Sequence, residues 1–138
     1  MTNEMFERGL SNRSAVLGEA HVARSLREAT DFGRPLQELV TEYCWGAVWG
    51  RPGLTFQMRS LINIAMLTAL NRQSELATHV RGAITNGCTE EEIREVLMQT
   101  AIYCGVPAAL EATRTAEDTL RTIATAQAAS TGSEDNDG

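Results

Sequence analysis

The feature that most constrains this chain is the period of its apolar residues, which recur at steps of three and four along its length. A two-residue alternation of the kind a half-buried strand needs is nowhere convincing, so an all-α protein of about six helices is expected. A first helix is expected from Ser14, as N-cap, to Ala29, with Val16, Leu17, Ala20, Ala23 and Leu26 as its stripe. A second opens near Pro35 and is stopped by "GRPG" at 50 to 53, because two glycines and a proline in four residues cannot continue a helix. The third, Thr55 to Leu70, is apolar nearly all round and reads as a buried central helix.

Ser74 is expected to cap the next helix, which ends at Asn86-Gly87, a pair suited to a left-handed C-cap. Thr89 with Glu92 forms a capping box in front of a helix whose inward stripe is Ile93, Val96, Leu97, Thr100, Ala101 and Cys104. Met98 and Ile102 fall outside that stripe and suit a surface between copies of the chain. Gly105 ends this helix, and Pro107 suits the first turn of a last one reaching about Ala124. Residues 1–125 are therefore expected to form one domain, and residues 126–138, small, polar and acidic, a disordered tail.

Charge and composition remove several function classes. The formal net charge is −6 with no basic run, which argues against a nucleic-acid partner. All 12 basic residues are arginine, so no lysine exists to form a Schiff base with a substrate or with pyridoxal phosphate. Cys44, Cys88 and Cys104 show no C-x-x-C and no histidine at zinc spacing, and are expected to be free thiols, with no metal site. The longest apolar run, "LINIAMLTAL", is about half a membrane span, and no signal peptide is evident, so a cytoplasmic protein is expected.

One stretch carries chemistry. In "NRQSELATHVRGA", Arg72, Glu75 and His79 fall at helical spacing, with Glu75 and His79 at i,i+4, so the three can converge on one spot. Spacing alone leaves two readings open, a catalytic group and a half-buried histidine bonded to its neighbour.

Three blocks in order, "AVLGEAHV", then "TEYCWGAVWGRPGL" followed by "RSL", then "ELATHVRGAITNGCTEEEIREVLMQTAIYCGVPAA", resemble the gamma-carboxymuconolactone decarboxylases over roughly Arg13 to Leu120. The resemblance implies an alkylhydroperoxidase D-like helical subunit, assembled as a homo-oligomer, commonly a hexameric ring of dimers, with a trimer the other expectation. It also implies a cofactor-free enzyme of protocatechuate catabolism that takes a dicarboxylic lactone to its enol-lactone with loss of carbon dioxide. The peroxidase branch of that superfamily uses a C-x-x-C before its histidine. Aligned on His79, those positions are Arg72 and Glu75, which leaves only a thiol-independent redox protein, or a silent oligomeric scaffold, as alternatives. Tyr43 and Ala47 stand where the family often has a histidine and an acid, which opens the door to a different substrate.

On this resemblance the departing electron pair flows into the lactone carbonyl, and the protein must supply a carboxylate clamp, donors for the oxyanion and an acid. Arg51 in its rigid turn, Arg72 and Arg59 are the candidate clamps, since a guanidinium binds carboxylate bidentately. Trp45 and Trp49, at i,i+4, can wall the pocket, or serve as core aromatics. His79 is the candidate acid, oriented and kept charged by Glu75, with Glu42 a second acid candidate. His21 fits a plain packing role as well.

Overall fold

The computed structural model describes residues 3–134, and among them every regular element is helical. In order these are α1 (Glu4–Leu17), α2 (Glu19–Glu28), α3 (Arg34–Leu39) with a π-helical continuation (Val40–Val48), α4 (Phe56–Ala69), α5 (Gln73–Thr85), α6 (Glu90–Tyr103) and α7 (Val106–Glu134). No helix among the described residues is long and apolar enough to cross a membrane. Contacts within this all-α chain gather into two compact units, the first reaching to Arg59 and the second beginning at Ser60.

In the first unit, α1 packs along the π-helical segment at backbone contact. A Cβ on Gly9 would lie 1.8 Å from the Thr41 carbonyl oxygen, and one on Gly46 would lie 2.5 Å from the Met5 carbonyl oxygen. Small residues on both sides are what let two helices come this close. The π register shows in Trp49 N–H, which donates to Cys44 O at 2.9 Å, five residues back. Side chains from α1 hold the segment. Asn12 Nδ2 donates to the Trp45 carbonyl (2.9 Å), and the Arg13 guanidinium donates to Thr41 Oγ1 (3.1 Å) and Gln37 Oε1 (3.0 Å). Thr41 in turn donates to the Gln37 carbonyl four residues back (2.7 Å), a bond that bends a helix where the α-helical pitch gives way. Val16, Trp45 and Trp49 form the unit's buried cluster, backed by Leu17, Val40 and Phe56.

The expected first helix differs on two counts. Helix α1 begins at Glu4, capped by the Asn3 side chain, which accepts from Phe6 N–H. Ser14 thus lies inside α1, and the break falls at Gly18, whose φ of 93° is a conformation glycine adopts cheaply. The π-helical register of Val40–Val48 was also not expected, because periodicity alone cannot tell a 4.4-residue turn from a 3.6-residue one over two turns.

The second unit is built around Ile64, Leu76, Val80, Ala83, Ile93, Leu97, Ala112 and Ala116, drawn from α4, α5, α6 and α7. Two tight turns set α5. After α4, Asn71 takes a left-handed backbone (φ 57°), Arg72 N–H donates to Leu67 O (3.0 Å) and Asn71 N–H to Thr68 O (3.2 Å), the paired bonds of a Schellman closure. At the far end Gly87 (φ 88°) repeats the pattern, with Cys88 N–H on Ala83 O (2.9 Å) and Gly87 N–H on Ile84 O (3.0 Å). The N-cap of α5 is therefore Arg72, not Ser74, because the short turn already leaves the helical conformation at Arg72. The capping box of Thr89 and Glu92 forms as expected.

Helix α4 is not buried all round. Ile64, Ser60 and Thr68 are its buried residues, while Met58, Ile62, Met66 and Leu70, a row at four-residue steps, are exposed. On α6, Met98 (62%) and Ile102 (80%) are exposed, as their places off the inward stripe imply, and so is Cys104, which that stripe had included at its end. Helix α7 continues to Glu134, past the boundary expected at 125, and the rest of the expected tail lies outside the described residues.

The contact at Gly9 yields a stability test. Gly9→Ala gains helix propensity but drives a methyl into the Thr41 carbonyl, so a net loss of about 1–3 kcal/mol is expected from denaturant midpoints.

Candidate active site

In the first unit the candidate residues lie on the π-helical segment and the turn after it. Trp45 and Trp49 are both 3% exposed and stack with ring centroids 4.5 Å apart at 28°, and the edge of Phe56 meets Trp49 at 5.4 Å. They are core aromatics of this unit. Glu42 is half-buried on the same segment, whereas Arg51, Tyr43 and Cys44 are exposed and Ala47 is half-buried. Arg59, half-buried on the first turn of α4, donates from Nη2 to the Arg51 carbonyl at 3.1 Å and so ties down the "GRPG" turn. Its Nε is buried with no protein partner, a donor left over for something else.

Arg13, which sequence reasoning passed over, is the other buried guanidinium, at 6% exposure. Its partners Gln37 and Thr41 are uncharged, so burial pushes its pKa down, with Cys44 acting weakly the other way. Burial likewise pushes the Cys44 thiol up, against the pull of Arg13 and of a bond from Trp49. Cys88, also raised by burial, is enclosed in the second unit. All three cysteines are free thiols. Two thiols held in their protonated form suit neither peroxide attack nor metal binding.

In the second unit, α5 carries the trio. Arg72 sits at its N-cap and Glu75 in its first turn, both exposed, and His79 follows one turn later, half-buried. One partner on the His79 ring is a residue the sequence reading did not name. Asn63 of α4 places its amide nitrogen 3.4 Å from His79 Nδ1. One turn earlier on α4, Ser60 Oγ accepts from Asn86 Nδ2 at 2.9 Å, so α4 and α5 are pinned twice through polar side chains. The signal was present as an amide inside the otherwise apolar "LINIAMLTAL", a position where a buried polar group must find a partner.

Electrostatics correct one expectation. Burial lowers the His79 pKa from its ordinary value, and Glu75, which acts in the opposite direction, is the smaller cause. The ring is therefore uncharged near neutral pH, not held as the imidazolium. Glu75 is exposed, and solvent screening weakens its pull on the ring.

The second unit also has an open groove of about 350 Å³ between α6 and α7, walled by Ile93, Leu97, Met98, Val106, Leu110 and Leu120. Glu90, Arg94 and Glu117 line it too, but none of the candidate residues does.

Comparison with known proteins gives these residues a context. The family model described as the carboxymuconolactone decarboxylase family matches residues 34–118. The chain is 46% identical over 116 residues to a nitrosuccinic acid decarboxylase of Metarhizium robertsii, covering 84% of this chain and 81% of that protein. It is 40% identical over 120 residues to a 4-carboxymuconolactone decarboxylase of Acinetobacter baylyi, covering 87% of this chain and 90% of that one. The matched span runs from α3 into the first half of α7 and includes the candidate residues of both units from Glu42 to His79, so the chain belongs to the carboxymuconolactone decarboxylase family and, with it, to the carboxy-lyases.

Proposed function

We propose that the protein decarboxylates a small dicarboxylic acid that carries its own electron acceptor, with 4-carboxymuconolactone in protocatechuate catabolism as the leading substrate. The observation that carries this is the half-buried, uncharged His79 bonded to Asn63, in a chain 40% identical to a 4-carboxymuconolactone decarboxylase. Loss of carbon dioxide leaves an electron pair, and in the lactone that pair flows through a double bond into the ring carbonyl. The substrate thus provides the sink that thiamine or a pyridoxal Schiff base provides elsewhere.

Nitrosuccinic acid is the second reading, favoured by the Metarhizium relative and by the departures at Tyr43 and Ala47. Its chemistry has the same outline. One carboxylate leaves from the carbon bearing the nitro group, the pair enters the nitro oxygens as a nitronate, and the other carboxylate stays. Both substrates ask the protein for a clamp, a donor at the developing oxyanion and a site that strips water from the leaving carboxylate. His79 supplies the donor. Arg51, Arg59 and Arg72 are the candidates for the clamp, and the unpartnered Nε of Arg59 supports its inclusion. Glu42 is kept as a candidate acid, whereas Trp45 and Trp49, both buried in the core of the first unit, support the site from behind and do not wall it. The exposed face bearing Met98 and Ile102 supports assembly as a homo-oligomer.

Carbon dioxide release from 4-carboxymuconolactone and from nitrosuccinate, measured side by side, tests the reading directly. His79→Ala is expected to slow whichever substrate is turned over roughly a hundred- to ten-thousand-fold while leaving helical circular dichroism intact. Release from neither acid overturns the proposal.

Lysine substitutions separate the arginines, because they keep charge and remove the planar fork. Loss of the group on the retained carboxylate should mainly raise KM, the outcome expected for Arg51→Lys. Loss of a donor that meets charge only as the oxyanion forms should mainly lower kcat, the outcome expected for Arg72→Lys. Wild-type kinetics in both variants would move the clamp to Arg59.

The lowered pKa of His79 also has a stability consequence. The unfolded chain takes up this proton near pH 6.5, while the folded chain resists until lower pH. Stability is therefore full above about pH 6.5 and declines as pH falls through the folded-state pKa. Thermal melts between pH 7 and pH 5 should show His79→Gln declining less steeply than the wild type.

A further inference from the structure

We propose that the outward face of α3 and its π-helical continuation is a two-fold interface, on which a second copy of this chain lies antiparallel. This rests on the homo-oligomer reading above and adds to it a contact on the first unit, apart from Met98 and Ile102.

The face follows from how the segment divides its residues. Gln37 and Thr41 turn to α1, where the Arg13 guanidinium holds both. Away from α1, Phe32 (96%), Leu36 (62%), Leu39 (52%) and Tyr43 (64%) are exposed. They follow one another at steps of four, three and four, the spacing of a seam between paired helices. Phe32 is held in place, because the N–H groups of Gly33 and Arg34 close the turn before α3 by donating to the Thr30 carbonyl at 3.1 and 2.8 Å. The strip amounts to on the order of 400 Å² of apolar side chain per copy, a size at which an exposed patch marks an interaction site. A standard interface takes about 800 Å² from each partner, so the strip is its dry centre and the charged residues beside it are its rim.

The occupant follows from symmetry. Steps of four, three and four read the same in both directions. Turned end for end on itself, the strip sets Phe32 against Tyr43 and Leu36 against Leu39, aromatic on aromatic outside and leucine on leucine inside. A two-fold axis makes each of these contacts twice.

Charge selects the same arrangement. Arg34 lies toward one end of the row and Glu42 toward the other, so antiparallel copies bring Arg34 of each beside Glu42 of the other. Parallel copies would set Arg34, Glu38 and Glu42 each against its own kind. In the antiparallel pair only Glu38, next to the axis, meets its like. Arg34 donates to Asp31 (2.8 Å) and to the Ala29 carbonyl (2.9 Å) and keeps further N–H groups for a second carboxylate. The pairing thereby brings a guanidinium of another copy to Glu42, the candidate acid.

The test is sedimentation of the full chain at micromolar concentration, with helical circular dichroism as the check on folding. The wild type should assemble, and Leu39→Glu should lower the mass of the assembly by at least about twofold. Arg34→Glu alone and Glu42→Arg alone should each weaken the contact, because each sets like charges together twice. Mixed in equal amounts, these two variants should pair with one another, since every Arg34–Glu42 contact is then restored with its sign exchanged. No recovery on mixing overturns the antiparallel interface, as does an assembly that Leu39→Glu leaves whole. If Leu39→Glu does not fold, the mixing experiment decides, since both of its substitutions lie outside the apolar strip. A monomeric wild type overturns this proposal and the homo-oligomer reading together, whereas an assembly broken by Ile102→Glu and untouched by Leu39→Glu overturns this proposal alone.

Discussion

The position of His79 depends on backbone geometry at the two ends of its helix. Asn71 before α5 and Gly87 after it both sit in the left-handed region, and each lets the last carbonyls of a helix be answered within the chain. These closures fix the length of α5 at Gln73–Thr85 and the step between α4 and α5. With that step fixed, Asn63 meets the ring and Asn86 meets Ser60, and the polar side chains need no further adjustment. The histidine is thus placed by two turns and two amides, with its apolar neighbours Leu76, Val80 and Ala83 supplying the core contact.

How much of this was legible depends on the range of the interaction involved. Signals confined to a few residues were readable: the Asn86-Gly87 stop, the Thr89 and Glu92 capping box, and the place of Met98 and Ile102 off the inward face. The start of α1 was missed because its apolar stripe is interrupted by Gly9 and Arg13. Those two residues make sense only against Thr41 and Gln37, more than twenty positions away, at contacts no local pattern reveals. Asn63 escaped for the same reason. Its partner sixteen residues on could be named only once the turn at Asn71 had set the pairing of the helices. The trio on α5 was found by spacing, but spacing cannot weigh burial against charge, and burial prevails over Glu75 at His79.

The proposed chemistry places unusually light demands on a protein. Dicarboxylic acids with a built-in acceptor already hold the difficult part of a decarboxylation, so a helical scaffold with arginines and one tuned imidazole is sufficient in kind. An arginine-only basic complement fits that task, because each guanidinium offers a planar fork to carboxylate. Even the buried Arg13 is held by hydrogen bonds to the uncharged Thr41 and Gln37.

The π-helical segment Val40–Val48 has a consequence for how this family of chains can vary in length. A π turn contains one residue more than the α turn it replaces, so in effect the segment stores an insertion that the helix has absorbed without looping out. Deleting one residue there would restore the α-helical pitch and rotate the upstream turns by about 100° against the downstream ones. Asn12 and Arg13 would then face the wrong atoms, since the carbonyl of Trp45 and the hydroxyl of Thr41 would no longer point at the same side of α1. The segment is therefore a fixed gauge in the chain, and relatives that lack its extra residue must hold their Trp45 equivalent by other means.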